Sequence, residues 1–449
     1  MCHRLTQMHT DFSKCPLLFV ILFFAAFAWA QPRLVPQNVK TKDGRNFKLN
    51  LPAEFQIIPA AEGFRRVRFF AKAPDGRIFV TDMYNLADNK RGVIYILDGW
   101  NAESGKFARV IPYMTGLHNP NSVQFYRDAT GQDWIYIAET GKLTRRKFTR
   151  GEEKPADQNP QTLATFPDYG LSYKYGGWHL TRTVAFAPDG KMYVSVGSSC
   201  NSCVEKEDVR ATVLEMNADG SGQRIFAKGL RNAVGLRWIG NFLFATNQGS
   251  DHLGLQKPDE TFYALKDGAD YGWPYCHSSN GKIFADPKLK SAGGCRNVPE
   301  PYAFFPARSS ALGFDYFDDA AAADAIKNAF LVALHGSTNK SIGRGYKIAI
   351  IRRGERLQDF LTGFLQNGVV HGRPCDVMKL GPDSFLFTDD NKGIVYYVRR
   401  RGSQADVTID ANENVNSATV SEQPATETPR GCFGVAAFIG LALARLFLW

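Results

Sequence analysis

A hairpin pattern recurs six times along this chain, and it limits the fold more than any other feature. Its clearest copy is Val184-Ala185-Phe186-Ala187-Pro188-Asp189-Gly190-Lys191-Met192-Tyr193-Val194-Ser195-Val196. Apolar residues alternate, Pro-Asp-Gly makes a turn, and a second apolar strand returns. Weaker copies start at Phe69, Val123, Leu236, Leu312 and Val377, roughly 50 to 75 residues apart. Most end on Ser, Thr or Ala with Gly or Asp nearby. Each interval is long enough for four strands and their loops. Further strands fill the gaps, such as Gly92-Val93-Ile94-Tyr95-Ile96-Leu97 and Gly393-Ile394-Val395-Tyr396-Tyr397-Val398. Only residues 320–327 read as helix. The expected fold is therefore all-β, a six-bladed β-propeller with four-stranded antiparallel blades. A sandwich or barrel would not need six similar hairpins. The 33 Phe and 17 Tyr supply apolar wedges for such a fold, and the 41 Gly suit its many tight turns.

The ends of the chain read differently. Residues 1–30 fit a secretory signal, with Arg4 and Lys14, an apolar core at 17–27, and Ala28-Trp29-Ala30 before Gln31. The propeller is expected over 31–402 and a disordered Ser/Thr/Pro-rich linker over 403–430. Residues 431–449 form an apolar tail. The small triplet Ser417-Ala418-Thr419, a polar spacer and that tail follow the order of a GPI attachment signal, with a spanning anchor as rival. Arg445 inside the tail counts against the spanning anchor. The expected location is the cell surface, with the membrane reached through the tail. In a secreted chain some cysteines pair. Cys276 with Cys295 is the favoured bridge, and Cys375 is left over and buried. Cys200-Asn201-Ser202-Cys203 admits three readings: a local disulfide, a redox pair or half a metal site. The basic clusters Arg145-Arg146-Lys147 and Arg399-Arg400-Arg401 lack a nucleic-acid motif and read as solvated faces, so no nucleic-acid partner is expected.

A propeller gathers its chemistry where loops from all blades converge on the central channel. Functional residues should therefore be scattered in sequence and lie just before or after the repeated hairpins. Polar runs at such positions are His118-Asn119-Pro120-Asn121, Trp178-His179 with Arg182, Gly229-Leu230-Arg231-Asn232, Asn247-Gln248-Gly249-Ser250-Asp251, Asp270-Tyr271-Gly272-Trp273-Pro274, His335-Gly336-Ser337 with Lys347, and His371-Gly372-Arg373-Pro374. They hold enough His, Arg and Lys to bind an anion and move a proton. The chain has no nucleophile elbow, no dinucleotide fingerprint and no EF-hand.

Taken in order, these motifs resemble the glucose/sorbosone dehydrogenase family, propellers that use pyrroloquinoline quinone (PQQ), over roughly residues 52–398. The resemblance implies His179 as the general base that takes a proton from a sugar hydroxyl while hydride passes to the quinone. It implies Arg231 beside the quinone oxygens, and Asn232, Lys347 and Arg373 holding the cofactor's carboxylates and quinone oxygens. Tyr271 and Trp273 would line the sugar or cofactor. A calcium ion would take the main-chain carbonyls of Gly249 and Ser250. Two departures stand out: Ser250 follows Gln-Gly where the family has proline, and Cys375 stands where glucose-oxidising members carry a second arginine. The implied function is PQQ-dependent oxidation of a sugar or sugar-derived aldehyde, with electrons passed to an external acceptor. Two rivals are a non-enzymatic surface propeller that binds a protein or glycan, and a calcium-dependent propeller lactonase. The presence of both His179 and Arg231 counts against the first. The lack of an Asp, Glu and Asn set for a metal counts against the second.

Overall fold

The computed structural model describes residues 31–167, 179–290 and 293–402. Six four-stranded antiparallel sheets follow one another around a ring. Blade 1 holds Val67–Lys72, Ile78–Asp82, Gly92–Asn101 and Lys106–Leu117. Blade 2 holds Ser122–Arg127, Asp133–Ala138, Lys142–Lys147 and Gln161–Thr165. Blade 3 holds Val184–Phe186, Met192–Val196, Thr212–Met216 and Arg224–Lys228. Blade 4 holds Leu236–Ile239, Phe242–Asn247, Glu260–Ala264 and Ala303–Phe305. Blade 5 holds Ala311–Phe317, Ala329–Leu334, Lys347–Ile351 and Gln358–Leu361. Blade 6 holds Pro374–Gly381, Ser384–Asp389 and Ile394–Arg400, and its fourth strand is Phe55–Glu62 from the start of the propeller. Phe55 pairs with Arg400 and Glu62 with Ile394, so the ring is closed by hydrogen bonds and leaves no open edge at the seam.

The six predicted hairpins are the two innermost strands of the six blades. Their turns work as the sequence implies. In blade 3 the Asp189 carboxylate accepts from the Lys191 N–H, and Gly190 takes φ +83°. A Cβ on Gly190 would strike the Tyr126 hydroxyl of blade 2 at 2.4 Å, so the glycine also lets the blades meet.

The hydroxyls that end the second strands stitch blade to blade. Thr81 Oγ1 accepts from the Phe69 N–H of its own blade and donates to the Asn121 carbonyl of the next. Thr246 accepts from Gly235 and donates to the Leu312 carbonyl, and Thr388 accepts from Asp376 and donates to the Arg68 carbonyl. All three hydroxyl residues are fully buried. Without them an inner-strand N–H and a neighbouring carbonyl would be left dry and unpaired.

The core is divided in the same way. Six apolar clusters each lie between adjacent blades, such as Phe79, Phe125 and Phe148 between blades 1 and 2, and Phe244, Phe262, Phe314 and Phe330 between blades 4 and 5. A seventh, Phe69, Val234, Leu312 and Cys375, takes one residue from the entry to four inner strands and plugs the channel.

Two expectations change here and one open reading is resolved. Residues 320–327 form turns, and the one helical element among the described residues is the 3₁₀ turn Lys340–Ile342. The segment must return at once to Ala329, and the Asn328 N–H closes the loop on the Phe317 carbonyl, which leaves no room for a helix to propagate. The basic clusters are ties between blades. Arg145 stacks over Trp134 and donates to the Ala218 carbonyl of blade 3, while Arg399 of blade 6 donates to the Ala102 carbonyl of blade 1. Cys200–Cys203 is a disulfide, which settles the three readings in favour of the first. Cys276–Cys295 is paired as expected, and Cys375 is a buried free thiol.

Candidate active site

The loops that precede the inner strands carry the candidate residues. His179 lies five residues before blade 3, with φ +51°. That left-handed backbone is held by Arg182, a fully buried side chain whose Nη1 donates to the carbonyls of His179 and Thr181. His179 Nδ1 lies 2.9 Å from the Ser198 carbonyl, and Ser198 Oγ lies 2.9 Å from the same nitrogen. A carbonyl only accepts, so Nδ1 carries the proton and Nε2 the lone pair. Burial holds the imidazole pKa well below its ordinary value, helped by the positive charges of Arg231, Arg182 and Arg210. His179 therefore favours the neutral ring, with the Nδ1 tautomer fixed by Ser198. Trp178 lies outside the described residues.

Arg231 and Asn232 come from the loop before blade 4. Arg231 is 4% exposed, and its guanidinium bonds only neutral oxygens: the Asn201 carbonyl and side chain at 2.8 and 3.0 Å, and the Gly249 carbonyl at 3.0 Å. No carboxylate among the described residues pairs with it. Burial lowers its pKa to about 10, with Asp251 and Glu260 offsetting only part of that cost. A buried cation without a counter-ion is the arrangement that favours an anionic ligand. Asn232 donates to the Gln248 side chain. A Cβ on Gly197 would strike both His179 Cβ and Asn232 Oδ1, so this glycine brings the base and the amide together. The sequence Asp270-Tyr271-Gly272-Trp273 braces the same loop from behind. The Tyr271 N–H donates to the Lys228 carbonyl and the Trp273 N–H to the Gly229 carbonyl.

Across the mouth, the loops of blades 5, 6 and 1 build a second group. Arg373 donates to the Gly336 and Ser337 carbonyls and to the Tyr346 hydroxyl, and stacks 4.7 Å over the Tyr346 ring. His335 Nε2 lies 2.7 Å from one Asp390 oxygen; Arg68 Nη1 donates to the other at 2.8 Å, and Arg66 Nη1 forms an ion pair with it at 3.1 Å. These partners hold Asp390 ionised far below the usual carboxylate range, against its burial. The two groups connect through Asn121, which accepts from Arg68 and donates to Thr183, whose hydroxyl bonds the Val234 carbonyl.

The structure thus brings together His179, Arg231, Asn232 and Gly249, and gathers Arg373 with His335. Two predicted members, Tyr271 and Lys347, sit elsewhere. Tyr271 is buried in the core between blades 3 and 4, 4.5 Å from the Tyr263 ring, with its hydroxyl accepting from the Lys266 N–H, so it is no wall for a ligand. Lys347 pairs at 2.5 Å with Asp359 on the outermost strand of blade 5, which takes its charge away from the mouth. Trp273 is partly buried, and its Nε1 has no hydrogen-bond partner among the described residues. The carbonyls expected to hold calcium are also engaged: Gly249 O by Arg231 and Ser250 O by Arg308, each at 3.0 Å. As they stand they do not fit a dication. Sequence reasoning missed Ser198, Asn201, Arg68, Asp390 and Arg308. Arg68 lies at the start of the first strand of blade 1, one place before the pattern read from Phe69, where a search for polar residues flanking the repeats reaches it.

Fold and mouth define a propeller with a neutral, half-buried histidine near a buried arginine that has no carboxylate partner among the described residues, at one end of a plugged channel. Residues 128–342 match the family profile described as Glucose / Sorbosone dehydrogenase. An uncharacterized protein of Borreliella burgdorferi is 30% identical over 349 residues, 73% of this chain and 90% of the relative. The PQQ domain of pyranose dehydrogenase from Coprinopsis cinerea superposes with a TM-score of 0.64 at 18% identity, over 80% of this chain and 98% of that one. The calcium structure of the Trichoderma reesei family AA12 protein gives 0.63 at 14% identity, over 83% and 98%. The soluble aldose sugar dehydrogenase of Escherichia coli gives 0.55 at 14%, over 77% and 100%. The chain belongs to the glucose/sorbosone dehydrogenase family, and its class is that of a sugar dehydrogenase oxidoreductase.

Proposed function

We propose that the chain oxidises a sugar hydroxyl or sugar-derived aldehyde with PQQ bound at the channel mouth, and passes the electrons to an external acceptor. The observation that carries this reading is His179: a neutral, half-buried imidazole of fixed tautomer, beside a buried guanidinium that lacks a carboxylate partner among the described residues. When bound, PQQ supplies a two-electron acceptor for the hydride that leaves the substrate carbon. His179 Nε2 takes the hydroxyl proton, because Nδ1 is committed to Ser198. Arg231 stabilises negative charge that develops beside it. Asn232 and Arg373 orient the cofactor's oxygens from opposite sides of the mouth. Lys347 and Tyr271 have no part in this reading, and no step runs through calcium. Reconstitution with PQQ and a sugar panel, followed by dye reduction, tests it with His179→Ala as control. Failure to bind PQQ would sink the enzyme reading, and undiminished turnover in the variant would sink the base.

We also propose that the protein works at the cell surface. The two disulfides support an oxidising compartment. The signal, linker and tail segments lie outside the described residues. No described helix is long and apolar enough to cross a membrane. Release from membranes by a phosphatidylinositol-specific phospholipase supports the GPI tail, and resistance points to a spanning anchor.

A further inference from the structure

The loop over residues 248–256 joins the second and third strands of blade 4 and forms one wall of the mouth. Its carbonyls meet three guanidinium groups in turn. Arg231 Nη1 bonds the Gly249 carbonyl at 3.0 Å and lies 3.5 Å from that of Gln248. Arg308 Nη1 bonds the Ser250 carbonyl at 3.0 Å, and its Nη2 bonds the Asp251 carbonyl at 2.9 Å and that of Gly254. Arg344 Nη1 bonds the Leu255 carbonyl, and its Nη2 the Gln256 side chain. The one carboxylate of the loop in contact with these groups, Asp251, accepts from Arg308.

Arg308 is the centre of this clasp. It stands in the loop before blade 5 with φ +72°, and only 11% of its side chain is exposed. Its N–H donates to Glu260, whose other oxygen takes the Gly249 N–H, so one buried carboxylate fixes the arginine backbone and the loop together. Converging carbonyls and one carboxylate are the donor set a calcium ion would use. Here a planar, permanently charged fork satisfies them instead. A calcium ion bonded at about 2.4 Å to the Gly249 or Ser250 oxygen would lie within about 5 Å of a guanidinium nitrogen on that oxygen. Like charge at that distance disfavours both.

We infer that Arg308, flanked by Arg231 and Arg344, acts as the built-in cation of this loop, so that the mouth keeps its shape and its capacity for an anionic ligand without calcium. The ligand's identity rests on the function proposed above, whereas the role of Arg308 in the loop does not.

Hydrogen–deuterium exchange of residues 248–256 tests the loop directly, with the folded propeller in a chelator and in millimolar calcium chloride. Exchange in the wild-type protein should be equal in both. In Arg308→Ala it should rise at least tenfold, and Arg308→Lys should restore part of the protection. Chelation that loosens the wild-type loop as much as Arg308→Ala does would overturn the inference. So would a crystal grown in calcium chloride with an ion bonded to the Gly249 or Ser250 oxygen. PQQ affinity, followed by tryptophan quenching, should agree within twofold with and without calcium, and a tenfold dependence on calcium would overturn the inference. Should PQQ bind in neither condition, the cofactor reading fails, and the exchange and the crystal still decide the role of Arg308.

Discussion

On the blade 3 and 4 side of the mouth, Arg231 bonds backbone and amide oxygens and His179 bonds a carbonyl and a hydroxyl. On the blade 5, 6 and 1 side, His335, Arg66 and Arg68 share the carboxylate of Asp390. The residue types match and the electrostatics differ. Among the described residues no carboxylate touches Arg231, and burial first, then neighbouring positive charge, pushes both His179 and Arg231 down in pKa, with Asp251 and Glu260 offsetting part of it for Arg231. The second is closed on itself by an anion. Burial still lowers the His335 pKa, but Asp390 works against it. A side that withholds its counter-ion is suited to a ligand that brings one, and a side that supplies its own is suited to holding blades together.

The sharpest break in this comparison is His179→Ala. Loss of a positioned base removes about 10²–10⁴ in turnover. PQQ affinity should stay near wild type, with a modest drop in melting temperature because the Ser198 carbonyl loses its Nδ1 partner. Steady-state dye reduction beside a thermal melt reads both.

Asp390→Asn should do the reverse. It strands the buried Arg68 and the half-buried Arg66, and removal of one partner from a buried charged group costs about 3–5 kcal/mol. Denaturant unfolding should show that loss, while variants that still fold keep the His179 side intact. A melt unchanged by Asp390→Asn would make the second side as uncompensated as the first.

Arg231→Gln sharpens the electrostatic half. His179 is a base whose pKa is depressed, so its competent neutral form persists to well below pH 6.5. Deleting the nearby positive charge raises that pKa, and the acid limb moves to higher pH. NMR titration of the imidazole reads this without depending on activity. An unmoved titration would leave burial, with Arg182 and Arg210, as the cause.

How much of this could be seen in the chain follows from what each signal depends on. The six hairpins are local patterns of period two, so they survive as sequence, and even the terminal Thr81, Thr246 and Thr388 stand out before their role as stitches is known. The strand Phe55–Glu62 pairs with Ile394–Arg400, and nothing local announces a partner more than 300 residues away. At the site, residue type was legible and direction was not. Tyr271 and Lys347 follow the right motifs, yet one turns into a core and the other toward Asp359. Asp390 and Arg68 were missed because their meaning exists only across the ring seam. Arg308 contradicts a ligand set inferred from main-chain carbonyls, whose availability no sequence displays.

The smallest effect expected is a difference near zero between the two sides. Thr246 stitches blade 4 to blade 5 beneath the uncompensated side, and Thr388 stitches blade 6 to blade 1 beneath the compensated one. Each hydroxyl accepts one N–H and donates to one carbonyl while fully buried. Valine at either position keeps the shape and abandons both groups, at about 1–3 kcal/mol. If the sides differ only in charge, Thr246→Val and Thr388→Val should cost the same within about 0.5 kcal/mol in denaturant unfolding. A much larger loss at Thr388 would mean that the Asp390 group and its stitch act as one network, since Thr388 donates to the backbone of Arg68 itself. Serine at both positions separates the cases, because it restores the hydrogen bonds and gives up only a methyl group.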